Sequence, residues 1–250
     1  MLKYIISFCF YFFVFLGFSQ QPPPPKQKTT LKEKSNKTTT VKKDTVTYKT
    51  GYGLRIGIDI TKPLRGVFDE SYNGLELVGD YRITKNWYVA TELGYEEELT
   101  FEDYSTSSAK GSYIKLGANL NTYENWLDMN NEVFIGMRYG FAIYEHTLSS
   151  YETNTSDPET PFYFGSETKT PNITQTGLSA HWLEFQLGMK TETFKNLFLS
   201  ISGSYKLGVS IEDQTGFETL YVPGFNRVFA SNTGFGFNYT ISYLIPFVKK

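Results

Sequence analysis

Two histidines are the side chains of this sequence best suited to proton-transfer chemistry. His146 and His181 flank a long polar stretch, with hydroxyl and carboxyl groups nearby in sequence: Ser149, Ser179, Glu145 and Glu184. A histidine between a hydroxyl nucleophile and a carboxylate is the arrangement used for acyl transfer. No local motif sets one of these serines beside a base, so we expect both histidines to hydrogen-bond to neighbouring loops. The catalytic candidates are therefore His146, His181 and Ser179, and the expectation is a protein that is not an enzyme.

Acidic clusters in the polar stretches are the other possible source of chemistry. They comprise Glu96 to Glu98 with Glu102 and Asp103, then Glu152, Asp157, Glu159 and Glu167, and then Glu212, Asp213 and Glu218. Such clusters form a solvated surface, bind divalent cations that bridge lipopolysaccharide, or repel anions. Their spacing matches no calcium loop, and two histidines with one carboxylate are equally unspecific as a metal site. Neither a metal nor a cofactor is predicted.

Charged residues of both signs alternate with apolar residues along the body of the chain. The set is Arg55, Asp59, Glu76, Asp80, Arg82, Glu92, Glu96, Lys115, Arg138, Glu184, Lys190 and Lys206. A period of two indicates β-strands with two different faces. Because these six basic and six acidic groups share one face, they can neutralise one another in a narrow interior. We predict a charge network in the lumen of a barrel.

The strand at residues 233–247 has the clearest alternation. Its odd positions, from Phe235 to Phe247, are aromatic or branched, and its even positions are mostly small or polar. The eight predicted strands are 51–60, 74–84, 87–96, 112–121, 133–145, 182–191, 197–208 and 233–247. Each is near the length of about 9–11 residues that a tilted membrane-crossing strand needs. A continuous apolar row of this size favours a face in contact with lipid.

The connections between these strands alternate in length. They are long at 61–73, 97–111, 146–181 and 209–232, medium at 122–132, and short at 84–86 and 192–196. Outer-membrane barrels have short periplasmic turns and longer external loops, and an even strand number leaves both termini in the periplasm. The predicted fold is all-β, an eight-stranded antiparallel up-and-down transmembrane β-barrel over residues 51–250. The alternative is a soluble lipocalin-like barrel with reversed polarity, which would expose the apolar row and bury the charges.

The N-terminal fifty residues differ from the body of the chain. Residues 1–19 read as a secretory signal peptide, because a positive start precedes an apolar core and a small-x-small cleavage site. A membrane anchor, or lipidation at Cys9, the one cysteine, is the alternative. Residues 20–50 are rich in Pro, Lys and Thr, which predicts a disordered periplasmic tail. This basic tail is either a solvated tether or a contact with acidic cell-wall polymer or the membrane surface.

Several short runs resemble known sequences. The run 55–65 and the runs 78–82, 125–129 and 221–225 are similar to an uncharacterised family of predicted barrels within the small outer-membrane β-barrel proteins of Gram-negative bacteria. The resemblance covers about residues 50–247, and it implies an outer-membrane location but no known activity. Such barrels usually end on an aromatic residue read by the barrel assembly machinery. Here Phe247 has the right parity but is followed by three further residues.

These observations predict a non-enzymatic barrel of the cell envelope, with a structural or surface-interaction role for its long external loops. The expected partners are outer-membrane lipid, lipopolysaccharide and the assembly machinery, with the cell wall as a partner of the tail. The formal net charge of −2 indicates no nucleic-acid partner. The alternatives are a lipid-modifying enzyme at the rim and a narrow gated channel. The aromatic run 221–229 is expected to fold back over the barrel mouth or to contact a partner.

Overall fold

A closed ring of eight antiparallel strands forms the body of the protein. The computed structural model describes residues 51–125, 130–156, 164–229 and 231–249. The predicted signal peptide and tail lie outside these ranges, as do residues 126–129 and the acidic residues Asp157 and Glu159. No helix in the described ranges is long and apolar enough to cross a membrane.

Eleven strands and one helix make up the described chain. They are β1 (Gly51–Asp59), α1 (Thr61–Phe68), β2 (Tyr72–Arg82), β3 (Trp87–Glu102), β4 (Ser105–Asn121), β5 (Glu132–Ser156), β6 (Phe164–Lys169), β7 (Ile173–Phe194), β8 (Leu197–Ile211), β9 (Tyr221–Val222), β10 (Asn226–Arg227) and β11 (Thr233–Lys249). The ring runs β4-β3-β2-β1-β11-β8-β7-β5, and pairing of β4 with β5 closes it. The predicted eight-stranded barrel is confirmed. Closure leaves the ring without the unpaired edges that promote aggregation.

The two faces of the ring strands differ as the alternation predicts. In β11 the outward side chains of Phe235 and Phe237 are 61% and 57% exposed, whereas the inward Ser242 is buried. In β2 the inward Glu76 is fully buried, while the neighbouring Leu77 is 48% exposed. The apolar face is therefore the outer face and the charged face the inner one, as predicted for a membrane-crossing barrel.

Two ends of the barrel have different connections. At the terminal end, which holds Gly51 and Lys249, the connections are residues 83–86, 122–131 and 195–196. At the opposite, distal end lie α1, the β3–β4 turn at 103–104, and the segment 212–232 with its two-stranded sheet of β9 and β10.

The strands extend further toward the distal end than predicted. The regions 97–111 and 146–181 were expected to be loops, but β3, β4, β5 and β7 continue through most of both. Cross-strand pairing maintains these extensions, for example Thr147 opposite Thr174 and Glu102 opposite Ser105. The alternation of apolar and polar residues fades there, so hydrophobic pattern alone did not reveal the strands. Strand β6 is a further addition, which pairs with the end of β5.

A helix replaces part of the first predicted loop. Residues 61–73 were expected to be irregular, yet α1 occupies Thr61–Phe68 and its C-cap Asp69 donates a backbone hydrogen bond to Arg65. The helix is amphipathic, since Lys62 is buried while Leu64, Val67 and Phe68 are exposed. It thus adds a basic side chain to the interior of the barrel from outside the ring.

We expect the packing inside the ring to tolerate no added side chain at Gly140. A Cβ at this inward position would lie 2.0 Å from Cε2 of the buried Trp182. Gly140→Val should lower the free energy of unfolding by about 1–3 kcal/mol because of overpacking. Urea unfolding of refolded protein, followed by tryptophan fluorescence, measures this. The matched control is Gly203→Val, where a Cβ meets nothing within 4 Å. Equal effects of the two substitutions would contradict the packing.

Candidate functional site

The lumen holds a dense set of acidic and basic side chains. Six basic and seven acidic residues are buried: Arg55, Lys62, Lys115, Arg138, Lys190 and Lys206, with Asp59, Glu76, Asp80, Glu92, Glu96, Glu132 and Glu184. Ions removed from water need close partners to offset the loss of hydration. Most of these side chains meet this need in three groups stacked from the terminal end to the distal end.

The group nearest the terminal end is centred on Arg55. Its Nε donates to Asp80 at 2.5 Å, and its Nη1 and Nη2 reach the two oxygens of Glu132 at 2.5 and 3.1 Å. Lys190 donates to the other oxygen of Asp80 at 2.5 Å. The guanidinium also lies 4.6 Å from the ring centre of Tyr88. Such bidentate pairing fixes the geometry as well as neutralising charge.

The central group is organised around Lys115. Its Nζ lies 3.0 Å from Glu76, 2.6 Å from Glu92 and 3.9 Å from Glu184. Arg138 donates from Nε to Glu92 at 3.1 Å. Because Lys115 comes from β4 and the three carboxylates come from β2, β3 and β7, this group crosses the full width of the lumen.

At the distal end, Lys62 of α1 enters the barrel. Its Nζ donates to Glu96 and lies 3.8 Å from Glu76. Burial disfavours the ammonium, but the carboxylates of Glu96 and Glu76 outweigh this and hold the pKa of Lys62 above its ordinary value. The ion pair with Glu96 therefore fastens the helix to the barrel interior.

A plug segment, residues 221–225, closes the distal mouth. All five residues are buried. The Tyr221 hydroxyl and the Gly224 backbone N–H each donate to Glu96 at 2.8 Å, and Lys206 donates to the Gly224 carbonyl at 2.8 Å. Burial, followed by the charge of Glu96, raises the pKa of Tyr221 and keeps its hydroxyl protonated as a donor. The fold-back expected for this run is confirmed.

Packing reinforces these polar contacts of the plug. Phe225 meets Trp182 edge to face, with ring centres 5.8 Å apart. Gly224 has a φ of +80°, and a Cβ there would lie 2.5 Å from Cγ of Tyr113. Both the backbone conformation and the contact therefore require glycine.

Most of the charged residues expected in the lumen are found there, and three placements differ from expectation. Eleven of the twelve are buried. Arg82 instead lies at the terminal end, where it donates to the carbonyl oxygens of Thr84 and Lys85. Sequence reasoning missed Lys62, because its side chain enters from a connection. It also missed Glu132, because that residue precedes the apolar alternation of its strand.

The two histidines do not form the arrangement that acyl transfer requires. His146 is buried in the barrel, where Nδ1 lies 2.6 Å from Oε1 of Gln214. His181 lies on the outer face, with Nδ1 2.8 Å from the hydroxyl of Tyr139. The backbone N–H of Ser179 donates to a carboxylate oxygen of Glu212 at 2.7 Å. Within the described ranges no hydrogen bond joins a serine to either histidine.

Several loop carboxylates contact other parts of the protein. Glu98 accepts from Arg65 at 2.6 Å, and Glu102 pairs with Arg227 at 2.6 Å. Asp213 accepts the backbone N–H of Thr219 at 2.8 Å. Among the residues that the structure describes, no group of three His, Cys, Asp or Glu side chains could hold a metal ion. In these places the acidic clusters therefore link segments of the distal end to one another.

Replacing Lys115, the central lysine, should destabilise the folded barrel. Lys115→Met leaves three buried carboxylates facing one another, so we expect a loss of about 3–5 kcal/mol in the free energy of unfolding. Urea titration of the refolded protein provides the measurement. Lys110→Met is the control, since Lys110 pairs with Glu145 on the exposed outer surface and its loss should change stability little. A Lys115 variant as stable as this control would show that the network does not support the fold.

Comparison with known proteins gives a family and a weak structural likeness. No curated protein matches the chain. Among solved structures, the crystal structure of Ail, the attachment invasion locus protein of Yersinia pestis, matches with 10% identity and a TM-score of 0.36 over 78% of this chain and 97% of that chain. A likeness at this TM-score carries no argument about fold or function. The family model described as "Domain of unknown function (DUF6048)" matches residues 1–250. The chain belongs to the DUF6048 family.

Proposed function

We propose that this protein is a non-enzymatic outer-membrane β-barrel protein of a Gram-negative bacterium, with a structural or surface-interaction role carried by its distal end. The observation that carries the proposal is the apolar belt on the outside of a closed ring, with the charged residues at the level of the belt pointing inward. A soluble protein rarely exposes so much continuous apolar surface.

The belt includes every strand of the ring. Its members include Ile56, Leu77, Val89, Leu116, Ile135, Met137, Phe185, Leu187, Ile201 and Phe237, each at least 41% exposed. A closed ring satisfies all backbone hydrogen bonds within the protein, which is the condition for strands to cross hydrocarbon. The belt and the ring therefore support a membrane location by two independent physical requirements.

The connections support an orientation. Outer-membrane barrels place short turns in the periplasm and larger structures outside. The terminal end would then face the periplasm, together with the tail and its cell-wall contact, and the distal end would face lipopolysaccharide and the exterior. In the same orientation Phe247, on the outer face of the last strand, is available to the assembly machinery during insertion.

The contents of the lumen favour this role over the two alternatives. A channel needs a continuous aqueous path, whereas here three groups of ion pairs and the plug fill the interior. A rim enzyme needs a nucleophile within reach of a base, whereas His146 and His181 occupy opposite faces of the wall. We infer that the distal end, and not a passage through the lumen, meets partners.

The membrane assignment predicts a strong cost for charge in the belt. Leu187→Arg places a cation near the middle of the apolar surface and should cost about 2–4 kcal/mol in folding into bilayers. Phe101→Arg is the matched control, because Phe101 is exposed close to the β3–β4 turn and beyond the belt. Urea titrations in lipid vesicles compare the two. Recovery of the wild-type protein in the soluble fraction of lysed cells would overturn the assignment.

The proposed non-enzymatic role predicts unchanged envelope lipids. We expect mass spectrometry of outer-membrane lipids to give the same profile for cells expressing the wild type, His146→Ala, His181→Ala or no protein. Planar bilayers containing the purified protein should likewise show no conductance steps. A lipid product that disappears in either histidine variant would favour the enzyme, and regular conductance steps would favour the channel.

A further inference from the structure

A partly enclosed cavity of about 320 Å³ lies at the distal mouth, between α1, the plug segment and strands β8 and β11. Its charged lining is unbalanced, with five basic residues and one acidic residue: Lys62, Arg65, Lys115, Lys206, Arg227 and Glu98. Cavities that bind small molecules usually have volumes of about 300–1,000 Å³. The volume of this cavity and the excess of positive charge in its lining therefore suit a small anionic ligand.

Lys206 is the basic residue that the protein itself leaves least satisfied. Its side chain is 3% exposed, and its Nζ donates to the carbonyl of Gly224 at 2.8 Å. Within the described ranges no carboxylate oxygen lies within 4.0 Å of this ammonium. A buried cation without a paired anion is costly, and an ammonium carries three N–H donors. An anion in the cavity would supply the missing charge.

The other basic residues differ from Lys206 in having carboxylate partners. Lys62 and Lys115 pair with the buried carboxylates of the network, as described above. Arg65 and Arg227 pair with Glu98 and Glu102 at the rim, where their side chains are 41% and 59% exposed. Because exposed ion pairs are weak, these two guanidinium groups can exchange part of that contact for a ligand.

Glu98 provides a second kind of contact. Its Oε1 accepts from Arg65, but its Oε2 is buried without a hydrogen-bond partner among the described residues. A carboxylate oxygen without a partner can accept a hydroxyl group, and a turn of the Glu98 side chain toward the cavity that it lines would bring this oxygen within reach. The cavity thus offers a cationic part and, at its rim, an acceptor for a hydroxyl.

We propose that this cavity binds a phosphorylated sugar, with the phosphate against Lys206 and the rim arginines and a sugar hydroxyl donating to Glu98. A phosphate has more acceptor oxygens than a carboxylate, which suits several converging cations. The same chemistry occurs in a free sugar phosphate and in the phosphorylated sugars of lipopolysaccharide. The proposal goes beyond the envelope role and does not depend on the membrane assignment.

Calorimetric titration of the full-length mature protein in detergent micelles tests the site. Glucose 6-phosphate should bind, and glucose at the same concentrations should not. Lys206→Met and Arg227→Gln should each weaken the binding of glucose 6-phosphate at least tenfold. Lys110→Met, which removes a positive charge outside the cavity, should leave it unchanged. Two variants are used because Lys206 is buried, whereas Arg227 is at the surface and its substitution should not affect folding.

The role of Glu98 separates a sugar phosphate from phosphate alone. Glu98→Ala should weaken the binding of glucose 6-phosphate several-fold. The affinity for inorganic phosphate should stay unchanged or increase. Competition by phosphorylated but not dephosphorylated lipopolysaccharide would identify the lipid-borne source, and its absence the free one. No binding of glucose 6-phosphate at millimolar concentration, or equal binding by the wild type and both cavity variants, would overturn the proposal.

Discussion

The carboxylate of Glu96 is fully buried, and donors from α1, from the plug and from the barrel wall converge on it. A lone anion in this interior would be strongly disfavoured, so the wall cannot hold it without those donors. Conversely, α1 and the plug belong to connections whose ordering costs conformational entropy. The hydrogen bonds to Glu96 therefore offset both the cost of burying its charge and the entropy lost in ordering α1 and the plug. The distal end becomes ordered because Glu96 on β3 needs the donors that these two connecting segments supply.

The same logic extends to the whole barrel. Its outer side chains are apolar and its inner side chains are polar, the reverse of a soluble protein. Backbone hydrogen bonds are satisfied by closure of the ring, and most of the buried charges, though not that of Lys206, are paired with one another across the lumen. Strand register must then be set by charge as well as by apolar contact, since a slip by one residue would turn every ion outward. The alternation of Glu92 with Leu93 encodes both requirements in adjacent residues.

Residue parity explains why the body of this fold could be predicted and parts of its distal end could not. Where Ile56, Ile58 and their counterparts alternate with charged or small residues, the period of two identifies strand and face together. Beyond the belt, residues such as Thr147 and Thr174, which lie opposite each other, are polar, so the apolar outer row that marks the belt is no longer present. Strand structure there follows from pairing with an adjacent strand, which a single segment does not reveal. The helix was hidden because it is only eight residues long and Gly66 lowers its local propensity, which the anchoring of Lys62 offsets.

The length of β5 has a consequence for how the distal end meets its surroundings. At about 3.3 Å per residue, its 25 residues follow a path of roughly 80 Å, against a hydrocarbon layer of about 30 Å. In the proposed orientation, paired strands rise well above the lipid headgroups as a stiff stalk. A flexible loop of the same length would sample many heights and lose that freedom on meeting another molecule. In the same orientation, a paired and therefore stiffer extension would lose less conformational entropy than such a loop on contact with another molecule.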